Sequence, residues 1–209
     1  MARRFGPAAW MGGAFGAALA VGLAVLLRLG SSVDAVAVAT ESVARVAFVF
    51  FWPAYAGGAL AALFGPAFAG LARHRRAFGL AFAAALLVHL AFVAWLFRIS
   101  SPQPVSDTVA LYFGVGALWA YGLALGSWKR LSDVFGARLW RIFSTAGLEY
   151  IAFLFFRDFV LLPLQYDVRH PLIYYGPFAI LIIVVALLRW TAALRGLHPP
   201  GYAPRRSPP

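Results

Sequence analysis

The sequence predicts an all-α polytopic membrane protein, a bundle of six transmembrane helices with both termini in the cytoplasm. Three observations carry this. The 209 residues are 63% hydrophobic, only 12% charged, and have a mean hydropathy of +0.81, whereas a soluble domain averages about 25% charged residues. Six stretches reach the roughly 20 apolar residues that a bilayer-spanning helix needs: 8–29, 42–64, 77–97, 108–128, 139–162 and 172–190. The basic residues alternate between the short connections in the manner that sets membrane orientation.

The first stretch follows Arg3 and Arg4 and admits two readings. An apolar run ahead of "AVAVAT" resembles a secretory signal with a small-residue cleavage site. Its roughly 22 apolar residues exceed the 7–15 of a signal core, which favours a retained helix. Gly12, Gly16, Ala20 and Ala24 share one face of it, a spacing that permits close helix packing. The second stretch contains Pro53, which must kink the helix or leave a carbonyl for a neighbour to satisfy. The third runs outward from Arg75 and Arg76 and contains His89. The fourth ends in "LALGSWKR". The fifth contains Glu149 and, near its outer end, Arg157 and Asp158. The sixth closes the bundle at 197, and the Pro-rich tail 198–209 is expected to be disordered.

Of 18 basic residues, 13 fall at the N-terminus, the second and fourth connections and the C-terminal end. Arg28, Arg45, Arg98, Arg157 and Arg169 fall on the other side, among Asp34, Glu41, Asp107, Asp158 and Asp167. The net charge of +11 is therefore topological, and nucleic acid is not an expected partner. Arginine outnumbers lysine 17 to 1 and Ala and Gly abound, which suggests a GC-rich bacterial source and hence the inner membrane. With no cysteine, disulfides, iron–sulfur clusters and thiolate chemistry are excluded. No Gly-rich phosphate fingerprint follows a strand, so no nucleotide cofactor is expected. The seven Trp mostly flank the spans, as an interfacial belt does.

Ionisable residues within spans are the functional suspects. His89 lies twelve residues into its stretch and Glu149 ten into its own, which predicts similar depths. Either the two hydrogen-bond each other, or His89 ligates a metal or haem iron through a neutral ring nitrogen. Arg157 and Asp158 are adjacent and so point to different faces; Arg157 is expected to snorkel towards water or lipid phosphate.

The stretch "RRAFGLAFAAALLVHLAFVAWL" resembles the third helix of the ferric reductase-like transmembrane domain, and within it the haem-carrying membrane subunits of the bacterial periplasmic methionine sulfoxide reductase system. That family carries R-R-x-L-G-L and, nine residues on, a haem-ligating His; Arg75, Arg76, Gly79 and Leu80 match, and His89 falls at the ligand position. "LALGS", "FGARLWRI" and "HPLIYYG" extend the resemblance over nearly the whole chain. It implies a haem b held by His89 and electron transfer to a periplasmic or membrane protein partner. The fifth helix departs from the pattern: the family's two further histidines correspond to Ser144 and Arg157, neither of which ligates iron as imidazole does. The resemblance thus leaves two readings, an electron-transfer subunit and a haem-free accessory subunit of a larger complex. A third, a transporter using Glu149, His89 and Arg157, lacks the repeat symmetry and paired broken helices common there.

The topology is checked by reporter fusions. Fusions at Pro104 and Asp167 should report periplasm, and those at His74 and Asp133 cytoplasm; one on the wrong side breaks the six-span scheme.

Overall fold

The computed structural model describes residues 6–129, 136–165 and 174–197; the tail and residues 166–173, which include His170, lie outside them. All regular structure among the described residues is helical. Helix α1 spans Pro7–Leu29, α2 Val33–Phe64, α3 Ala69–Ile99, α4 Asp107–Lys129 and α5 Ala137–Phe156; a π turn, Arg157–Leu161, leads into the short α6, Leu162–Gln165, and α7 spans Gly176–Leu194. Four helical stretches are long and apolar enough to cross a membrane: Pro7–Leu29, Val33–Ile99, Asp107–Ser127 and Gly176–Leu194. The helical run through 137–165 is not among them, and it carries Arg138, Arg141, Glu149, Arg157 and Asp158.

The long second stretch is a hairpin. Its two helices are joined by a 3-10 turn, Gly65–Phe68, and Gly65 at φ 74° ends α2 in a backbone conformation that side chains disfavour. The pairs Thr40 with His89 and Ala54 with Arg75 show the helices running antiparallel. Close approach needs Gly57, where a Cβ would lie 2.9 Å from the Leu71 carbonyl carbon. Both helices start earlier than their apolar runs. For α2 the reason is a cap: Ser32 Oγ accepts from the Ala35 N–H at 3.3 Å, and Asp34 occupies the positive N-terminal turn. For α3, the polar segment Arg73–Arg76 is made of good helix formers that continue the helix beyond the apolar run. The α-helix of α2 runs on through Pro53.

Helix α2 is central, packing on α1, α3 and α7. On α1 the bundle-facing small residues are Ala14, Ala18 and Gly22, whereas Gly12, Gly16, Ala20 and Ala24 are exposed. The expected four-residue spacing is present, but rotated to another face. Gly22 receives the Phe92 ring, whose Cζ would lie 2.5 Å from a Cβ there. The π turn after α5 precedes Pro163, which lacks an N–H and crowds the carbonyl four residues back. The Leu162 N–H instead reaches the Arg157 carbonyl five residues back, opening the helix at that point.

Between the two ends of α2 lies an aromatic core. Phe48 and Phe51, 0% and 1% exposed, meet Phe82 of α3, Phe155 of α5, Phe159 of the π turn and Phe178 of α7. Centroid separations of 5.0–5.6 Å and the mainly tilted or edge-on geometry suit the ring quadrupoles, worth about 0.5–1.5 kcal/mol per pair beyond burial. Helices α4 and α5 are joined differently, by aromatic wedges over glycines: Trp119 sits over Gly147, where a Cβ would come within 2.6 Å of the ring.

Gly147→Ala should therefore lower unfolding stability in detergent by about 1–3 kcal/mol, the usual range for overpacking. Gly114→Ala, with nothing within 4 Å of the added carbon, should leave it unchanged or raise it. Equal effects would contradict the wedge.

Candidate functional site

Glu149, on α5, is held by α7 and α2. Arg189 donates from Nε at 3.0 Å and from Nη2 at 2.8 Å to Oε1, and the Tyr55 hydroxyl donates to Oε2 at 2.7 Å. The third arginine nitrogen, Nη1, donates to the Tyr55 carbonyl at 3.1 Å, and the guanidinium lies 4.2 Å from the centroid of the Tyr55 ring. Tyr55 is fully buried, while the Arg189 side chain is 15% exposed and that of Glu149 36%. A planar guanidinium suits this double role, because it can present two donors to a carboxylate, one to a carbonyl and a flat face to a ring.

His89 is elsewhere. Its Nδ1 lies 3.1 Å from the Thr40 carbonyl of α2. Thr40 and Tyr55 are fifteen residues apart on one helix, so the His89 and Glu149 levels differ by about 22 Å. The expected His89–Glu149 hydrogen bond and common depth are both overturned. The cause is the early start of α3, which pairs Arg75, fourteen residues before His89, with Ala54 at the level of Glu149. Arg189 and Tyr55 were not singled out by sequence reasoning. Arg189 reads as an end-of-span topological charge, yet α7 continues to Leu194 and carries it into the bundle. The usable signal was Glu149 itself, since a carboxylate inside a span needs a cation.

The end of the bundle remote from Glu149 holds a second, looser polar group. Arg45 lies 3.4 Å from Glu41 one turn away, and Tyr175 donates to the same Glu41 oxygen at 3.5 Å. Arg157 and Asp158 form no ion pair with each other among the described residues. Arg157 rests 5.6 Å from the centroid of the Phe113 ring on α4, and its Nη1 is buried without a hydrogen-bond partner, so that nitrogen does not snorkel to water. Ser144 donates to the Arg141 carbonyl at 3.1 Å, one turn back on its own helix.

A haem makes two demands, a donor and a slot. The donor chemistry at His89 is suitable: a carbonyl only accepts, so Nδ1 carries the proton and Nε2 keeps its lone pair. About 12 Å along α2 from the Thr40–His89 level, the space between α2, α3, α5 and α7 is filled by six phenylalanine rings. A groove of about 460 Å³ between α1 and α3 is lined by residues including Phe15, Leu19, Val88 and Phe92, but not by His89. No family model matches the chain, and no curated protein or solved structure is significantly similar to it.

The Glu149–Arg189 contact is checked by a double-mutant cycle. Glu149→Leu and Arg189→Leu should be coupled by about 0.6–1.7 kcal/mol in detergent unfolding, the range of membrane hydrogen-bond cycles. Glu149→Leu and His89→Leu should be additive, because distant sites without shared partners are.

Proposed function

We propose that this chain is a six-span protein of the bacterial inner membrane, with cytoplasmic termini, serving as a haem-free structural subunit of a membrane assembly. The supporting observation is the phenylalanine core, which separates the inner polar cluster from the outer one. A protein moving electrons needs a redox centre, and one moving ions needs polar groups in sequence across the bilayer. The aromatic layer puts no polar group between the two clusters among the described residues, which favours a structural role. The inner cluster is closed on itself, with all three Arg189 nitrogens and both Glu149 oxygens engaged, which suits a fixed frame.

The test is a reduced-minus-oxidised absorption spectrum of protein purified from haem-replete cells, run beside native gel electrophoresis of the solubilised membrane. We expect no Soret band, and migration well above the 22.6 kDa of the chain plus its micelle. A Soret band that disappears in His89→Ala would overturn the proposal and restore the electron-transfer reading.

A further inference from the structure

The inner polar cluster contains one cation too many. Arg75 of α3 lies at the same level as the Glu149–Arg189 pair, its Nε donating to the Ala54 carbonyl at 3.0 Å. It forms no ion pair among the described residues, and Arg189 already occupies Glu149. The guanidinium is nevertheless held in a fixed position. Gly58 makes room for it: a Cβ there would lie 2.9 Å from Nη1. Arg75 is half-buried between α2 and α3, with no further hydrogen bond from its two Nη groups among the described residues.

The surroundings set the charge of what would bind there. The same end of the bundle carries Arg73, Arg76, Lys129, Arg138, Arg141 and Arg195, with Glu149 the single carboxylate among the described residues. The opposite end balances Arg28, Arg45, Arg98 and Arg157 against Asp34, Glu41, Asp107 and Asp158. Helix α2 is 32 residues, about 48 Å, and a hydrocarbon layer of about 30 Å centred on it ends near the level of Gly58, the residue against which Arg75 Nη1 lies. The free edge of Arg75 therefore lies at headgroup depth.

We propose that Arg75 binds the phosphate of an anionic phospholipid at the basic end of the bundle. A planar guanidinium anchored through Nε presents its Nη edge to two phosphate oxygens. Basic recesses between membrane helices recognise anionic headgroups in this way. The acyl chains then lie along the bundle surface. The phosphate supplies the negative charge that the described residues at this end do not.

The test uses the full chain, delipidated and reconstituted into phosphatidylcholine vesicles with or without phosphatidylglycerol. The readouts are the thermal unfolding midpoint and lipid retained in native mass spectrometry. Phosphatidylglycerol should raise the midpoint and be retained in preference to phosphatidylcholine. Arg75→Gln should reduce that preference by about fivefold, while Arg73→Gln, the same charge change at an exposed neighbour, should leave it nearly intact. Gly58→Ala keeps every charge but displaces the Arg75 head, and should weaken the preference as well, which covers the case of Arg75→Gln not folding. Equal loss in Arg73→Gln and Arg75→Gln would overturn the proposal in favour of diffuse surface attraction. Equal stabilisation by inorganic phosphate in phosphatidylcholine would overturn the lipid as the source of the anion.

Discussion

The Glu149 carboxylate lies where α2, α5 and α7 meet, and the placement of the C-terminal half of the chain depends on what it binds. Tyr55 and Arg189 each take one of its two oxygens, and Arg189 also donates to the Tyr55 carbonyl. Each contact fixes a different helix, so rotation of any one of the three breaks at least two hydrogen bonds. Association of helices in lipid has little hydrophobic drive, because the surrounding chains are as apolar as the side chains. Orientation then rests on packing and on a few polar contacts such as these. Removing one partner leaves the other ion unpaired, several kcal/mol where burial is complete, and less here because Glu149 is 36% open.

The level of the cluster follows from the same energetics. With α2 centred on a hydrocarbon layer of about 30 Å, Thr40 and Tyr55 lie about 13 and 10 Å either side of the midplane, towards its two boundaries. Charges are tolerated there at much lower cost than at the midplane. The midplane is left to Phe48, Phe51, Phe82, Phe155, Phe159 and Phe178, which bring α2, α3, α5 and α7 together without a polar atom. Helix α1 adds to this core through Ala14, Ala18 and Gly22, and α4 joins at the far side through Trp119 and its contact over Gly147. Polar clusters towards the two faces thus flank an aromatic layer between them.

The helices are legible in the sequence because apolar runs of bilayer length have few other outcomes, and the expected stretches overlap the observed helices throughout the described residues. Their ends are less legible. Ser32 capping and the helix-forming arginines ahead of Ala77 extend α2 and α3 by polar residues that hydropathy does not register. That shift is what misplaces His89: counted from Ala77 it shares a level with Glu149, and counted from the contact of Arg75 with Ala54 it does not. The small-residue face of α1 fails for another reason. In so Ala- and Gly-rich a helix several faces carry the four-residue spacing, and only packing selects Ala14, Ala18 and Gly22. Glu149 and His89 were legible as polar residues within expected spans; their partners were not, since Arg189 read as an end charge, Tyr55 as an ordinary span residue, and Thr40 fell just ahead of the expected span 42–64.

The arrangement is tested most directly by solid-state NMR of the protein in lipid bilayers, through carbon–carbon correlations from the Glu149 side-chain carboxylate. The account predicts through-space cross-peaks from that carbon to the Arg189 guanidinium carbon and the Tyr55 ring, with none to the His89 imidazole. A Glu149–His89 cross-peak, or the absence of one to Arg189, would contradict it.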